Sequence, residues 1–302
     1  MKAAVLEYPV ATLDNRVLLP AGTRLSANIL KELTAMNRDA SYRKHSILDH
    51  DAVRQDINRL FQEPPYSAIF KKEEKTFALT LMRKMRFVAP LLEIIDYFDQ
   101  NDSYTYRHIL MVFALSTILV RDLMTKSEDR ITEAMAGILH DLGKICVPLS
   151  VLKKSNPISR TEKNMLEHHA LAGFVLVGYF LRDAGGFAAR VAKGHHERKD
   201  GSGYPLGVLL KDRMVEIIAA CDVYDALLSP RPYRPTPYDN RTALEAITEM
   251  AKKRKLSWKV VKALISHNRK DRPHFRECMV SAEKRGAPPK NSLYGNIIDN
   301  DG

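Results

Sequence analysis

The first 72 residues combine short apolar runs with turn signals. Arg16–Pro20 is such a run and is followed by a turn. A helix is predicted over Ala27–Met36 with Ser26 as its N-cap, and another over His50–Phe61. We therefore expect a small mixed domain over residues 1–72, and we expect it to be regulatory.

From residue 73 onward, apolar residues recur at helical spacing and strand signals are few. Ser159 and Glu162 form a capping-box pattern at the start of one helix. The predicted helices cover 74–98, 104–124, 133–140, 159–183, 187–195, 212–228, 238–252, 256–267 and 275–283. The pattern predicts a mainly α domain over 73–285, followed by a flexible tail over 286–302.

Several classes of protein are excluded by the sequence. The longest charge-free runs, 109–120 and 170–181, are too short for a bilayer, which needs about 20 residues. Residues 1–15 lack the apolar core of a signal peptide. Three cysteines without C-x-x-C spacing, Cys146, Cys221 and Cys278, predict no disulfide framework. We expect a cytoplasmic protein without a membrane span.

The charge is concentrated near the C-terminus. The 302 residues include 47 basic and 36 acidic ones, a net charge of +11 that suggests an anionic partner. Residues 251–290, the basic segment, hold 13 basic and three acidic residues, a net of +10. The basic segment is interpreted either as a solvated face or as a docking surface for an acidic partner or anionic lipid. Since aromatic and basic residues are not interleaved, we expect no nucleic-acid binding.

A His-Asp pair ends one apolar helix, in the sequence GILHDLGK. Adjacent helical residues point about 100° apart, so His140 and Asp141 can share only a wide site, such as two neighbouring metal ions. The alternative is an ordinary helix end, with Gly143 as terminator and Lys144 facing the helix dipole.

Polar side chains also interrupt the apolar faces of three other predicted helices. His108, His169 and Asp222 each share a face with aliphatic or aromatic residues. A buried carboxylate is costly unless it is paired or bound to a metal. A lone histidine on such a face is usually a hydrogen-bonded core residue, but three interruptions on three helices indicate a common site.

The third unusual element is GHHERKDGSGYP, residues 194–205, in which His195 and His196 precede a glycine-rich turn. A solvated loop is the alternative interpretation. Imidazole and carboxylate ligands together suit Fe, Mn, Zn or Ni, and seven ligands suit two metals and phosphoester hydrolysis. The candidate ligands are His108, His140, Asp141, His169, His195, His196 and Asp222.

These motifs resemble the HD-GYP branch of the HD phosphohydrolase superfamily. HD at 140–141, HHE at 195–197 and GYP at 203–205 stand in order with further motifs over 104–234. The resemblance implies an HD-type helical bundle with a binuclear metal centre. It also implies hydrolysis of the bacterial second messenger cyclic di-GMP to linear pGpG, GMP or both, by metal-hydroxide attack on phosphorus.

The resemblance carries over to individual residues. The family's metal ligands fall on the seven candidates above, and counting back four from Gly173 selects His169 rather than His168. Lys144, Arg231 and Arg234 fall where the family binds substrate phosphates. The general acid is either Lys144 or a bound water, and Asp141 belongs to the catalytic set. For Tyr204 the resemblance implies either contact with the substrate or docking of a partner domain.

Departures from the family pattern qualify this interpretation. Tyr104 stands where three-metal members carry Glu, so we expect two divalent ions, Fe or Mn. Lys199 and Glu216 replace a Trp and an Arg. The alternatives are a non-catalytic module that binds cyclic di-GMP or a partner, and a hydrolase of another cyclic dinucleotide. A signalling partner would dock on the GYP loop or the basic segment, and a homodimer is a further expectation.

Overall fold

The fold is mainly helical, as expected. In a computed structural model of the chain, residues 4–38, 40–124, 136–281, 283–290 and 297–298 are described. The described helices are α1 (Ala27–Ala35), α2 (Asp51–Leu60), α3 (Tyr66–Ile69), α4 (Lys72–Lys84), α5 (Ala89–Asn101), α6 (Ser103–Leu123), α7 (Ala136–Leu139), α8 (Leu149–Leu152), α9 (Arg160–Leu181), α10 (Phe187–Gly194), α11 (Arg213–Leu228), α12 (Asn240–Lys252) and α13 (Trp258–His267).

The described strands form three two-stranded sheets. The described strands are β1 (Val10–Ala11), β2 (Val17–Leu19), β3 (Lys44–His45), β4 (Phe87–Val88), β5 (Ile158–Ser159) and β6 (Ile297–Ile298). β1 pairs with β2 and β3 with β4, both antiparallel, while β5 and β6 are parallel. Two 3-10 turns, Ile47–Asp49 and Leu142–Cys146, complete the described elements.

Helix α6 lies at the centre of the bundle, where it packs against α5, α7, α11 and α13. Almost every side chain from Thr105 to Val120 is buried. Within the described residues, α6 is the helix whose length and composition would allow it to cross a membrane, but 83% of its apolar window is buried inside the protein. Such burial is typical of a core helix, so α6 is weak evidence for a membrane span.

The N-terminal segment, defined here as residues 4–70, packs on the helical bundle. Leu6, Val10 and Leu33 belong to the same continuous hydrophobic core as the helices after residue 73. The side-chain amide of Asn37 donates a hydrogen bond to the backbone carbonyl of Tyr179, 2.9 Å away. The division into domains over 1–72 and 73–285 stays a prediction.

The helix predicted over 74–98 is two helices. α4 ends at Lys84, and the chain extends through β4 before α5 begins. β4 pairs with β3 from the N-terminal segment, which holds this stretch in an extended conformation. Pro90 lies in the first turn of α5, where its missing amide hydrogen costs nothing.

The helix predicted over 275–283 is wrong for the residues described there, 275–281 and 283, which are irregular. Side chains of α13 and of its C-terminal end bind the backbone just before this stretch and within it. The Ser266 hydroxyl donates to the carbonyl of Pro273 at 2.5 Å, and the Arg269 guanidinium donates to the carbonyl of Met279. Phe275 and Cys278 are still buried, so tertiary contacts replaced the helix.

Two other predictions fall partly outside the described residues. The helix predicted over 133–140 includes 133–135, which lie outside them, and α7 is described from Ala136. Of the predicted tail, residues 291–296 and 299–302 also lie outside. β6 pairs there with β5, which directly precedes α9.

Candidate metal centre

Five parts of the bundle bring the predicted ligands together in its interior. His108 comes from α6, His169 from α9 and Asp222 from α11. His140 and Asp141 follow α7, and His195 and His196 follow α10. All but His196 are almost fully buried. Each helix thus contributes one or two polar groups to a single interior site.

A close contact between two glycines brings the HD motif against α9. A side chain at Gly143 would place its Cβ 2.0 Å from the backbone oxygen of His169 and 2.3 Å from the nitrogen of Gly173. Glycine is therefore required at 143 for this backbone approach. The approach leaves Asp141 Oδ1 only 3.3 Å from His169 Nε2.

The seven side chains form two groups. In each group, one potential ligand atom per residue lies within 4.8 Å of all the others. Asp141 also borders the other group, because its Oδ2 lies 3.6 Å from His108 Nε2 and 3.4 Å from His140 Nε2. The first group is Asp141, His169, His195 and His196, and the second is His108, His140 and Asp222.

Backbone carbonyls fix the orientation of three of the imidazoles. The Nδ1 atoms of His140, His169 and His195 lie 2.6, 2.5 and 2.9 Å from the carbonyl oxygens of Gly137, Leu166 and Ala192. Because a carbonyl can only accept, these Nδ1 atoms must donate, and Nε2 carries the lone pair of each neutral ring.

The Nε2 atoms then face one another in the interior. His169 Nε2 lies 3.3 Å from His195 Nε2 and 3.1 Å from His196 Nε2. His140 Nε2 is buried and has no hydrogen-bond partner among the described residues. Inward-facing lone pairs beside buried carboxylates are the donor set of a divalent cation. The described residues therefore fit divalent metal ions.

The pKa directions mostly favour the metal-binding forms. Although burial raises the pKa of Asp141, neighbours that include the Lys144 ammonium hold it well below its usual value. Burial, followed by the charges of neighbouring histidines, lowers the pKa of His195 to about 3, and burial lowers that of His196. At His140, burial lowers the pKa but neighbouring carboxylates outweigh it and raise the value. A cation would compete with that proton.

Asp225 was not among the predicted site residues. Its Oδ2 lies 2.6 Å from Nδ1 of His108, so the carboxylate holds this imidazole with Nε2 toward Asp222, 3.0 Å away. Carboxylate partners of this kind orient metal-binding histidines and raise their basicity. The signal was present in the sequence, since Asp225 follows Asp222 by three positions on one helix.

Glu197 also escaped the sequence analysis, although it belongs to the HHE motif. Its buried carboxylate accepts the backbone N–H groups of Leu206 and Val208, at 2.8 and 3.1 Å. It thereby ties the loop that carries the GYP motif to the end of α10. In this loop the Tyr204 ring stacks on His196, with ring centres 4.4 Å apart.

The predicted phosphate-binding residues differ in their contacts. Lys144 Nζ is 2.5 Å from Asp141 Oδ2, at the edge of the cluster. The Arg234 guanidinium donates to the carbonyls of Leu227 and Ser229 at the end of α11, at 3.1 and 3.0 Å. Arg231 is buried and pairs with Arg234 through the backbone. The roles of Lys144, Arg231, Arg234 and Tyr204 toward a substrate stay predictions.

His168 and Tyr104 lie outside the two groups. The His168 ring packs edge-on against Tyr8, with centres 5.5 Å apart, and burial lowers its pKa to about 4. Tyr104 is partly exposed in the first turn of α6. The structure thus places His169, and not His168, in the first group. The role of His169 as a metal ligand stays a prediction.

Two of the departures from the family pattern face each other. Lys199 Nζ lies 3.9 Å from Glu216 Oε2, and the other oxygen of Glu216 accepts the backbone N–H of Ser257 at 2.5 Å. Glu216 is buried, so these partners compensate its charge. The pair joins the loop after α10 to α11 and to the start of α13.

The chain matches a protein-family model and is similar to several characterised phosphodiesterases. The model of the HD domain family matches residues 81–257. A cyclic di-GMP phosphodiesterase, PA4108, of Pseudomonas aeruginosa is 35% identical over 50% of this chain and 36% of its own length. The cyclic di-GMP phosphodiesterase response regulator RpfG of Xanthomonas campestris is 42% identical over 50% of this chain and 40% of its own length.

A third relative differs in its substrate. The 3'3'-cGAMP-specific phosphodiesterase 3 of Vibrio cholerae is 34% identical over 48% of this chain and 32% of its own length. The chain thus matches about a third to two fifths of the length of these three relatives.

Proposed function

Since the chain belongs to the HD domain family, in its HD-GYP branch, we propose that it is a metal-dependent phosphodiesterase that hydrolyses cyclic di-GMP. The products would be linear pGpG, GMP or both. The observation that carries the proposal is the convergence of five histidines and two aspartates from five parts of the fold into two adjacent ligand groups. A purely structural core would not need so many inward-facing imidazoles.

The proposed centre holds two divalent ions, Fe or Mn. One would be held by Asp141, His169, His195 and His196, and the other by His108, His140 and Asp222, with Asp141 at the boundary of the two groups. Bound divalent ions supply Lewis acidity toward a phosphodiester and make water a stronger nucleophile.

The chain's own residues would orient the substrate and bind its negatively charged phosphates. Lys144 is partly exposed beside Asp141, so its ammonium can bind a phosphate oxygen or deliver a proton to the leaving oxygen. Arg231 is proposed as a further phosphate contact. Arg234 already donates to three carbonyls, so its contribution would be mainly to hold the segment after α11 in place. Tyr204, which stacks on His196, is proposed to contact a bound nucleotide.

A second candidate is hydrolysis of another cyclic dinucleotide by the same centre. It is favoured by the relative named for 3'3'-cGAMP and by the Lys199–Glu216 pair, which replaces the family's usual residues. A non-catalytic module that binds cyclic di-GMP is the remaining alternative, although a receptor would not require the complete ligand set.

The setting of the enzyme is proposed from the sequence. We propose a cytoplasmic protein in bacterial second-messenger signalling, with residues 1–72 as a regulatory domain. A signalling partner would dock on the GYP loop or on the basic segment, and the chain would form a homodimer.

The experiment is a substrate panel under reducing conditions. Wild type loaded with Mn²⁺ or Fe²⁺ is incubated with cyclic di-GMP, 3'3'-cGAMP and cyclic di-AMP, and the products are separated by chromatography. The proposal predicts pGpG or GMP from cyclic di-GMP and loss of turnover in His140→Ala. Faster turnover of 3'3'-cGAMP would favour the second candidate. No turnover of any substrate with either metal would reject catalysis.

A further inference from the structure

A tyrosine of the N-terminal segment contacts Asp225, the carboxylate that orients His108. Tyr66 in α3 lies before the region that matches the HD domain family. Its side chain is fully buried, and its hydroxyl donates to Oδ1 of Asp225 at 2.5 Å. The two residues are 159 positions apart, so this contact depends on the packing of the N-terminal segment.

Asp225 connects this hydroxyl to a candidate metal ligand. Its other oxygen, Oδ2, binds His108 Nδ1 at 2.6 Å and accepts the Ser229 hydroxyl at 3.1 Å. Both carboxylate oxygens are therefore engaged, which fixes the plane of the carboxylate. The plane of the carboxylate in turn sets the direction in which His108 presents Nε2.

Arg107 reinforces the same contact from the neighbouring position in α6. Its guanidinium lies over the Tyr66 ring, 5.4 Å from the ring centre, and 3.5 Å from Oδ1 of Asp225. It also donates to the Ser229 hydroxyl at 2.5 Å. The Tyr66 ring is thus held in place independently of its hydroxyl, which makes the hydroxyl removable without loss of packing.

We propose that Tyr66 is a positioning residue of the metal centre, acting through Asp225 to hold His108 in its metal-binding orientation. The inference rests on the proposed metal centre and extends it beyond the family region. It makes the N-terminal segment part of the metal site's support, so metal affinity depends on the docking of that segment.

The test measures Mn²⁺ affinity by calorimetry on the full chain, which requires no catalytic activity. Tyr66→Phe removes one hydroxyl, and we expect about 10-fold weaker Mn²⁺ binding, at the lower end of the usual effect of such partners. The matched control is Tyr179→Phe, which removes another buried hydroxyl that bonds to the N-terminal segment, through Arg16, but does not touch Asp225. Its affinity should stay within about twofold of wild type, since it leaves the partners of His108 intact.

A double-mutant cycle with Asp225→Asn tests whether Tyr66 acts on His108 through Asp225. If Tyr66 acts through Asp225, the double variant should bind Mn²⁺ no more than about twofold more weakly than Asp225→Asn alone. If the two substitutions weaken Mn²⁺ binding independently, Tyr66 does not act through Asp225, and the inference is overturned. Melting temperatures of the metal-free variants separate a folding defect from an affinity change, and Asp225→Asn provides a second weakened variant if Tyr66→Phe folds poorly.

The outcomes separate this inference from the proposed function. Unchanged Mn²⁺ affinity in Tyr66→Phe overturns the inference, whatever the activity. A wild type that binds Mn²⁺ but hydrolyses no cyclic dinucleotide rejects the function and leaves the inference to stand on the affinities. A wild type that binds no Mn²⁺ overturns both.

Discussion

The carboxylate of Glu197 accepts the backbone N–H of Leu206 at 2.8 Å, and this bond holds the GYP loop against the end of α10. Glu197 directly follows two candidate metal ligands, so the same short stretch faces the metal centre and anchors the loop. The order of residues in the HHE motif thus has a structural explanation.

Replacing Glu197 by Gln should loosen the GYP loop. The amide keeps one acceptor oxygen and loses the other, so one backbone N–H is left without its partner. We expect a free energy of unfolding lower by about 1–2 kcal/mol, and faster hydrogen exchange at Leu206 or Val208. Asp200→Asn is the control, because this exposed carboxylate accepts the N–H of Ser202 within the same loop region. Equal exchange in both variants would argue against the anchoring role.

Gly143 should tolerate no side chain. In Gly143→Ala the new Cβ would overlap backbone atoms of His169 and Gly173, so the HD motif must move away from α9. We expect a loss of about 1–3 kcal/mol in the free energy of unfolding, together with weaker Mn²⁺ binding. The control is Gly194→Ala, where the nearest atom to the new Cβ is 3.5 Å away in Val215. A fully stable, metal-binding Gly143→Ala would contradict the close approach.

The sequence predicted which side chains cluster better than it predicted the residues that hold them in place. Polar residues on apolar helical faces and the motif register selected His169 over His168, and the structure places His169 in the cluster. The spacing of Asp222 and Asp225 could have suggested the carboxylate behind His108. Tyr66 could not have been found, because its contact depends on tertiary packing of residues far apart in sequence.

For the helix boundaries too, features with a local cause were predictable from the sequence, and features with a tertiary cause were not. The capping box at Ser159 and Glu162 is present, because its bonds form within one turn. The helix predicted over 275–283 failed, because side chains from α13 and its C-terminal end bind the backbone just before it and within it. Within 74–98, Pro90 was a local signal for the break, which helical periodicity outweighed in the sequence analysis.

Lys144→Met should reduce turnover while the fold remains intact. The substitution removes the ammonium beside Asp141 and with it the proposed phosphate contact and proton donor. We expect kcat/KM for cyclic di-GMP to fall about 10²- to 10³-fold. Lys252→Met, which breaks a helix-surface pair with Glu249, should leave turnover unchanged. Similar rates for Lys144→Met and wild type would remove Lys144 from the proposed site.

The Glu74 carboxylate should make the free energy of unfolding depend on pH. Burial raises its pKa, but Arg272 and Arg121, which lie 2.8 and 3.3 Å from Oε1, together with backbone bonding, lower it below the ordinary 4.5. A lowered folded-state pKa stabilises the protein above the unfolded-state pKa, and this stability is lost as pH falls through the folded-state pKa.

The corresponding measurement compares wild type with Glu74→Gln in urea unfolding between pH 7 and pH 3. At pH 7 the variant should be less stable by about 1 kcal/mol, and the difference should shrink below about pH 4.5 as the wild-type carboxylate is protonated. A difference that stays constant over the whole range would show that the charge of Glu74 does not contribute.

The most direct test of the proposed metal centre is a crystal structure of the Mn²⁺-loaded chain with an anomalous difference map. The account predicts two peaks, with ligand atoms about 2.0–2.3 Å from each metal. One peak should be bound by Asp141, His169, His195 and His196, and the other by His108, His140 and Asp222. A single peak, three peaks, or no peak between these side chains would contradict the two-metal centre.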